Sequence, residues 1–281
     1  KPTKVDQHDP HLVIINNLEY DHADIFPDLA AIQKQFHHMI RMIPSKGVII
    51  RPMESENIDE VITMGCWSQV ETFSMKNDEA NWKAECVQKD GTAFLVKHKN
   101  DMVKANWTLL GDHNVSNALA AIAAANAAGV PVSTACSVLS DFKNVKRRLE
   151  VRGKANNVTV YDDFAHHPTA IEATLHALRS HVNQHRIVAV LHLASNSMKM
   201  GIYNETLGPA LKEADVVFVL KPQNDEALVW IKNSDNPIHI CEKVDGLVDL
   251  LVTELKPQDH VLVMSNGDFS GIHDKILEKL K

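Results

Sequence analysis

The second half of this 281-residue chain alternates short apolar runs with amphipathic stretches, and this alternation restricts the fold more than any other feature. Apolar runs of strand length predict buried strands at residues 158–161, 187–191, 216–220, 238–240 and 260–264. Helical spacing predicts helices at residues 169–179, 206–213, 227–232, 244–255 and 272–280. Strands that alternate with helices in this way predict a parallel, doubly wound α/β sheet.

The first strand of this half leads directly into two carboxylates, two histidines and a proline. Pro168 suits the first position of a helix, because the N–H that proline lacks would be unpaired there. Asp162, Asp163, His166 and His167 would then lie at the carboxyl end of a strand, facing a helix N-terminus. Open α/β sheets bind ligands at this end, and a helix N-terminus favours anions. The alternative is an ordinary βα turn with capping aspartates and solvated histidines.

Polar residues also follow the other predicted strands of this half. They are His192 to Asn196, Lys221, and Ser265-Asn266-Gly267. Because the carboxyl ends of parallel strands meet at one edge of a sheet, these sets predict a single ligand crevice. No GxGxxG motif opens this half, which argues against a dinucleotide-binding fold of that type.

The first half opens with an apolar run at residues 12–18, which leads into acidic residues and a histidine. The members of this group are Glu19, Asp21, His22 and Asp24. Oxygen ligands with an imidazole are typical of a Mg²⁺ or Mn²⁺ site. The same residues are equally typical of a polar loop that caps the next helix, which is predicted at residues 28–43.

Residues 54–107 alternate β-prone stretches with turns, and Asp90-Gly91 is a hairpin signal. An antiparallel region is therefore predicted, with strands at residues 63–67, 82–87, 92–97 and 102–108. An alanine-rich helix is predicted at residues 118–128, where Gly129 ends it, and a further helix at residues 132–142.

The polar side chains His113, Asn114 and Asn117 precede the alanine-rich helix. Amide and imidazole groups at this place can hydrogen-bond the edge of a purine. The alternative is that Asn114 caps the helix and needs no ligand. Farther along, Arg147 and Arg148 offer paired guanidiniums to a phosphate, or belong to a solvated basic linker.

Composition excludes several classes of protein. A net charge of −7 without a basic run argues against a general nucleic-acid binder. No apolar run is long enough to span a membrane, and no signal peptide is present in the sequence. The four cysteines are far apart and form no CxxC, which predicts reduced thiols in a cytosolic protein. The chain opens on Lys1 and soon enters a predicted strand, so we expect a fragment of a longer protein.

Four motifs resemble those of the Mur ligases in order and spacing, across nearly the whole chain. They are NLEYDHAD at residues 17–24, GDHNVSNA at 111–118, RRL at 147–149 and DDFAHHPT at 162–169. Residues 33–38, 64–68, 195–201 and 264–267 narrow the resemblance to the branch of murein peptide ligases. The resemblance implies a partial central ATPase domain at residues 1–148. A Rossmann-like C-terminal domain for the peptide substrate would follow at residues 149–281.

The resemblance also implies an activity, that of a bacterial cytoplasmic, ATP-dependent amide ligase of peptidoglycan recycling that uses Mg²⁺. ATP would phosphorylate the lactyl carboxylate of UDP-N-acetylmuramate. The amino group of the murein tripeptide, L-alanyl-γ-D-glutamyl-meso-diaminopimelate, would then displace phosphate. A carboxylate is a poor acyl donor and an acyl phosphate a good one, so catalysis depends on charge stabilisation and positioning. No nucleic-acid or membrane partner is expected, and the sequence does not reveal an oligomeric state.

Site residues follow from the same resemblance. The expected ATP-binding side chains are His113, Asn114, Asn117, Arg148 and Asp163, with the first three around adenine, Arg148 at the phosphates and Asp163 at the ribose. The expected catalytic residues are Arg148 and His166. The expected peptide-binding residues are His166, Ser195, Asn196 and Lys199. His22 is the expected metal ligand.

The chain departs from the family pattern in three ways. The sequence contains no UDP-binding domain and no GxxxxGK[ST] phosphate loop, so this chain alone is expected to be inactive. His192-Leu193-Ala194 stands where the family usually has Glu-Pro-Arg, and Ala194 cannot clamp a substrate carboxylate as arginine would. Asp268 stands where glycine is usual.

Two other interpretations remain at this stage. The first is a non-catalytic module of the same fold that binds a nucleotide or a peptide, since the phosphate loop and the clamping arginine are absent. The second is a metal-dependent hydrolase built on His22, Asp24, Asp162 and His166.

Overall fold

The computed structural model describes residues 10–281, so the opening of the chain at Lys1 and the expectations drawn from it lie outside the described residues. The chain divides into two compact units, Lys1–Phe142 (unit 1) and Lys143–Lys281 (unit 2). The predicted domain limit between residues 148 and 149 stays a prediction, since the units divide at Phe142.

Unit 1 contains, within its described residues, a six-stranded sheet in the order β1-β2-β3-β4-β5-β6. The strands are β1 Leu12–Ile14, β2 Val48–Pro52, β3 Gln69–Ser74, β4 Trp82–Cys86, β5 Ala93–His98 and β6 Asp101–Asn106. Neighbouring strands from β1 to β4 are parallel, and β4, β5 and β6 are antiparallel. The predicted antiparallel region is therefore confirmed only from β4 onward.

The helices of unit 1 are α1 Leu29–Met42, α2 Glu56–Thr63, α3 Asp112–Ala127 and α4 Val132–Ser137, within the residues described. The prediction of α1 is confirmed, with Asp28 as its N-cap. The strand predicted at residues 63–67 is wrong, because Thr63 ends α2 and residues 64–67 form the turn that leads to β3. The helix predicted at residues 132–142 is α4 followed by a 3-10 turn at Val138–Asp141.

The start predicted for the alanine-rich helix is wrong, because α3 begins at Asp112 and not at residue 118. Its N-cap is Gly111, whose φ of 90° is open to glycine at little cost, so the alternative of Asn114 as the cap is wrong too. The hairpin loop between β4 and β5 fixes this start. The Gly111 amide donates to Asp90 O at 2.7 Å, and Trp107 Nε1 donates to Gly91 O at 2.9 Å.

Unit 2 contains a six-stranded sheet in the order β11-β10-β9-β12-β8-β7. The strands are β7 Glu150–Ala155, β8 Val158–Asp163, β9 Ile187–His192, β10 Val216–Leu220, β11 Ile238–Cys241 and β12 His260–Met264. The five predicted strands are confirmed and run parallel. The sequence did not predict β7, an antiparallel edge strand whose exposed residues give no apolar run.

The main helices of unit 2 cover both faces of the sheet, as a doubly wound fold requires. They are α5 Pro168–Val182, α8 Val244–Glu254 and α9 Ile272–Lys279, with the single turns α6 Asn196–Lys199 and α7 Leu207–Ala210. Helix α5 packs on the face that holds Tyr161 and Leu191, and α8 and α9 pack on the face of Val160 and Val190. The helices predicted at residues 206–213 and 227–232 are α7 and a 3-10 segment, Asp225–Asn233. None of the helices within residues 10–281 has the length and apolar character needed to cross a membrane.

The replacement Gly91→Ala tests the contact between the β4–β5 loop and Gly111, which fixes the start of α3. The new methyl group would lie 3.1 Å from Gly111 N, and φ is 81°. We expect the free energy of unfolding of unit 1 to fall by about 2–3 kcal/mol, as measured by urea denaturation. The matched control is Gly129→Ala, with φ of 93° and no atom within 4 Å, so it loses only the backbone contribution. Equal losses would contradict a steric contribution at Gly91.

Candidate functional site

The carboxyl ends of β9, β12 and β8 lie side by side in unit 2, and each carries polar residues. Met264 at the end of β12 pairs with Asp163 on one side and Leu191 on the other, so the three strands end at one level. Across this edge, His192 Nδ1 lies 3.1 Å from Ser265 Oγ. The predicted meeting of these three polar strand ends is confirmed, and Lys221 follows β10, the next strand in the sheet.

Asp163 is buried under backbone amides. Its Oδ2 accepts a hydrogen bond from Leu149 N at 2.7 Å, and its Oδ1 accepts one from Ala165 N at 2.8 Å. Burial raises the pKa of Asp163, although these hydrogen bonds and the charge of Arg148 oppose the rise. Both oxygens thus bind the protein itself, and the ribose contact expected of Asp163 stays a prediction.

Asp162 points to the opposite face of β8 and lies among two arginines and a histidine. Its Oδ1 is 3.5 Å from Arg147 Nε and 3.4 Å from His273 Nε2, and its Oδ2 is 3.5 Å from Arg152 Nη1. These distances exceed those of charge-assisted hydrogen bonds. Burial alone would raise the pKa of Asp162, but the interaction with His273 and the charges of Arg147 and Arg152 hold that pKa below its ordinary value.

A cavity of about 450 Å³ opens beside Asp162. Arg147, Arg152 and His273 line it, together with residues 265–269 of the loop after β12. Sequence reasoning missed Arg152 and His273, which belong to β7 and α9. The adjacent aspartates could have indicated these partners. Side chains alternate along a strand, so Asp162 and Asp163 lie on opposite faces of the sheet, and Asp162 lies on the face that α9 covers.

Arg147 and Arg148 are adjacent but have different surroundings. Arg147 Nη2 donates to Ser265 O, and Arg147 Nε faces Asp162, so this guanidinium joins the chain before β7 to the loop after β12. The Arg148 side chain is exposed, and its guanidinium carbon lies 5.6 Å from the centre of the Phe164 ring. Arg148 is therefore accessible to an anion, as its expected role requires, and that role stays a prediction.

The helix predicted after Pro168 begins at that residue, with His167 as its N-cap. His167 Nδ1 accepts a hydrogen bond from Thr169 N at 3.3 Å, so this histidine has a capping role. His166 Nδ1 lies 2.9 Å from Phe164 O. Because a carbonyl oxygen only accepts, Nδ1 carries the proton and Nε2 of a neutral His166 is a proton acceptor. This tautomer suits the catalytic role expected of His166.

The segment after β9 carries the expected peptide-binding residues. Ser195 is the N-cap of α6, and its Oγ accepts a hydrogen bond from Met198 N at 3.2 Å. Asn196 and Lys199 are exposed. Burial, followed by the charge of Lys199, lowers the pKa of His192, so its imidazole is neutral near neutral pH. Asn196 and Lys199 thus lie at the surface, and the Ser195 hydroxyl caps α6.

In unit 1, the expected adenine-binding residues lie in the first two turns of α3. Asn114 Nδ2 donates to Leu110 O at 2.8 Å and so stabilises the turn that enters the helix. Asn117 Oδ1 accepts a hydrogen bond from Asn16 Nδ2, which ties α3 to the end of β1. His113 is half-buried. The structure gives Asn114 and Asn117 structural roles, and their contacts with adenine stay predictions.

His22 lies exposed in a turn with φ of 56°, and Ile25 N donates to its carbonyl at 2.8 Å. Asp21 Oδ1 accepts from His22 N at 2.7 Å. Within residues 10–281, no three His, Cys, Asp or Glu side chains are grouped to hold a metal ion, so the grouping required by the hydrolase interpretation is absent there. Mg²⁺ commonly keeps water and phosphate ligands beside one or two carboxylates, so the carboxylates near His22 suit it better than the imidazole does, and the metal-binding role expected of His22 stays a prediction.

The replacement Asp162→Asn tests the ionised state of this carboxyl group. At neutral pH we expect the free energy of unfolding of unit 2 to fall by about 1–3 kcal/mol, because the guanidiniums of Arg147 and Arg152 lose a buried counter-charge. The depressed folded pKa means that the parent loses this contribution as the pH falls below about 4, so the difference should shrink in acid.

Urea denaturation at neutral pH and at about pH 3 measures this difference. Asp274→Asn is the matched control, since Asp274 lies 3.8 Å from Arg152 but its side chain is 70% exposed. A difference between parent and Asp162→Asn that does not vary with pH would contradict an ionised Asp162.

Comparisons with known proteins agree along the whole chain. The Mur ligase middle domain matches residues 1–125, and the Mur ligase glutamate ligase domain matches residues 147–267. The chain is 48% identical to the UDP-N-acetylmuramate–L-alanyl-γ-D-glutamyl-meso-2,6-diaminoheptandioate ligase of Haemophilus influenzae, over 100% of the chain and 62% of that protein. It is 47% identical to the Escherichia coli ligase of the same name, with the same coverage. The chain thus spans about three fifths of the length of these relatives.

Solved structures agree with this relationship. A murein peptide ligase from Psychrobacter arcticus matches with a TM-score of 0.73 and 38% identity, over 99% of this chain and 59% of that one. The alanine ligase MurC from Thermotoga maritima matches with a TM-score of 0.75 at 21% identity, over 97% of this chain and 60% of that one, which shows a shared fold. The chain therefore belongs to the Mur ligase family, because two Mur ligase domains match it one after the other and nearly half of its residues are identical to those of the Haemophilus influenzae ligase.

Proposed function

We propose that the chain is the central and C-terminal part of an ATP-dependent ligase of peptidoglycan recycling. The whole protein would join UDP-N-acetylmuramate to L-alanyl-γ-D-glutamyl-meso-diaminopimelate. One observation carries the proposal. Along its full length, the chain is 47–48% identical in sequence to two proteins that are named as ligases of this kind. The polar edge of unit 2 supports it, because exposed cationic and amide side chains lie at the carboxyl ends of parallel strands.

The proposed reaction has two steps. A carboxylate oxygen of UDP-N-acetylmuramate attacks the γ-phosphorus of ATP, and the bond to ADP breaks. The tripeptide amine then attacks the carbonyl carbon of the acyl phosphate, inorganic phosphate leaves, and the new amide nitrogen loses a proton. The protein must therefore position three reactants, stabilise phosphate charge and accept one proton. Bound Mg²⁺ would supply part of the charge neutralisation, with His22 as a ligand.

Under this proposal, the residues expected to bind ATP fall into two groups. Arg148 is the exposed cation suited to phosphate oxygens, and the imidazole of His113 is suited to the adenine edge. Asn114, Asn117 and Asp163 already bind other groups of the protein, so we expect them to shape the site more than to contact ATP directly. The phosphate loop on which phosphoryl transfer depends is not part of this sequence, so the 281-residue chain alone should be inactive.

The peptide side would lie at the end of β9, where Asn196 and Lys199 are exposed. His166 Nε2 would accept the proton from the attacking amine. Ala194 stands where the family usually has an arginine that could bind a carboxylate with two hydrogen bonds. Lys199 is therefore the expected partner of a peptide carboxylate, and its ammonium group would act as a point charge.

The first test uses the full-length protein, with formation of the UDP-linked tripeptide as the readout. Arg148→Ala should raise the KM for ATP by about tenfold to a hundredfold, since a charge-assisted contact to phosphate is lost. Lys146→Ala is the matched control, because it removes an exposed positive charge two residues away. Failure of the parent protein to form product with ATP, Mg²⁺ and both substrates would reject the ligase. Binding of ATP and tripeptide without product would instead favour the non-catalytic module.

A second test separates the peptide side from the ATP side. Lys199→Ala should raise the KM for the tripeptide about tenfold and leave the KM for ATP unchanged, because a single charge contact is removed. Lys212→Ala is the control, since that exposed lysine pairs with Glu172 on the protein surface. An unchanged KM for the tripeptide would remove Lys199 from the substrate site.

A further inference from the structure

The two residues on either side of Arg148 have left-handed backbone conformations. The φ angle is 60° at Arg147 and 46° at Leu149. Side chains with a Cβ atom disfavour this region, and a branched residue such as leucine is rarely found there. Such strain persists only where neighbouring groups over-determine the conformation. Residues 147–149, which we call the arginine turn, must therefore be held by other parts of unit 2.

Carboxylates hold the two strained amides of the arginine turn. Arg147 N donates to Glu150 Oε2 at 2.8 Å, and Leu149 N donates to Asp163 Oδ2 at 2.7 Å. The first contact is local, whereas the second comes from the end of β8. Because the Asp163 side chain is only 3% exposed and β8 lies inside the sheet, this anchor is rigid.

The carbonyl groups of the turn are held as well. Arg147 O accepts a hydrogen bond from Phe164 N at 2.9 Å, directly after β8. Arg148 O accepts one from Asn144 Nδ2 at 2.6 Å. The backbone on both sides of the Arg148 side chain is therefore fixed, although the side chain itself is exposed.

The Arg147 side chain adds a third anchor, on the other face of the sheet. Its Nε lies 3.5 Å from Asp162 Oδ1, and its Nη2 donates to Ser265 O. Asp162 and Asp163 are consecutive, so one β8 strand end holds the arginine turn from two sides. The Arg148 guanidinium, in contrast, makes no ion pair or hydrogen bond within residues 10–281 and lies near the Phe164 ring.

We propose that Asp162 and Asp163 are positioning residues, which hold the arginine turn so that the Arg148 guanidinium is presented to a phosphate group of the nucleotide. This inference rests on the proposed use of ATP. It gives the two aspartates a role that needs no contact with the ligand. An unstrained loop could expose the Arg148 side chain equally well, but it would not fix the direction of that side chain. The proposed role therefore accounts for the strained backbone at Arg147 and Leu149.

A double-mutant cycle in the full-length protein tests the inference. Asp163→Asn replaces one accepting oxygen by an NH2 group that only donates, so the side chain can no longer accept from both Leu149 N and Ala165 N. We expect Asp163→Asn and Arg148→Ala each to raise the KM for ATP about tenfold or more, since small misplacements of a binding group have effects of this size. The double variant should be no worse than Arg148→Ala alone, because Asp163 acts through Arg148. The same cycle with Asp162→Asn tests the contact between Asp162 and the Arg147 side chain.

If the KM of a double variant rose by the product of the two single-variant increases, the aspartates would act independently of Arg148, and this result would overturn the inference. A raised KM in Arg148→Ala with an unchanged KM in both aspartate variants would also overturn it, while the proposed function would stand. Absence of ATP turnover in the parent would reject the proposed function instead. Asp274→Asn is the matched control, because it removes an exposed carboxylate 3.8 Å from Arg152 and leaves the arginine turn intact.

Hydrogen exchange provides a readout that does not depend on catalysis. The Leu149 amide should exchange at least about tenfold faster in Asp163→Ala, which removes both accepting oxygens, while the Val263 amide in β12 should keep its rate. Unchanged exchange at Leu149 would show that Asp163 does not hold the turn. Equal acceleration at Leu149 and Val263 would indicate general destabilisation of unit 2, and it would overturn a positioning role.

Discussion

The burial of two adjacent carboxyl groups at the end of β8 is the constraint on which the edge of unit 2 depends. A buried carboxylate requires several compensating groups, because transfer from water is costly. Strand alternation sends Asp162 and Asp163 to opposite faces, so no single neighbour can compensate both. The chain before β7, the loop after β8 and the helix α9 are each placed where one of these two groups needs a partner.

The two carboxyl groups are compensated by different means, and their pKa values shift in opposite directions. Asp163 meets neutral N–H groups, which do not outweigh burial, and its pKa is raised. Asp162 meets positive charges, which do outweigh burial, and its pKa is lowered. The hydrogen bonds to Asp163 fix backbone, whereas the charge contacts of Asp162 fix side chains. One strand end thus controls both the path and the side-chain order of the segment that carries Arg148.

Much of unit 2 could be predicted because its signals are local. Each buried strand is a short apolar run, Pro168 marks the start of α5, and parallel strands bring their polar ends to one edge by topology alone. Less of unit 1 could be predicted, since the start of α3 depends on Gly111 and on a contact with the β4–β5 loop far away in the chain. An edge strand such as β7 gives no apolar run, so its pairing with β8 leaves no local signal.

The division of roles between Arg147 and Arg148 lies beyond sequence reasoning for a related reason. Two identical side chains in adjacent positions have the same composition and the same distance from the predicted phosphate site. What separates them is the left-handed backbone at Arg147 and Leu149, in a turn that contacts Asp162 and Asp163 of β8 as well as Glu150 and Asn144. A motif can therefore predict a role for the pair, but only the packed sheet determines which arginine contacts the protein and which stays exposed, as the proposed contact with phosphate requires.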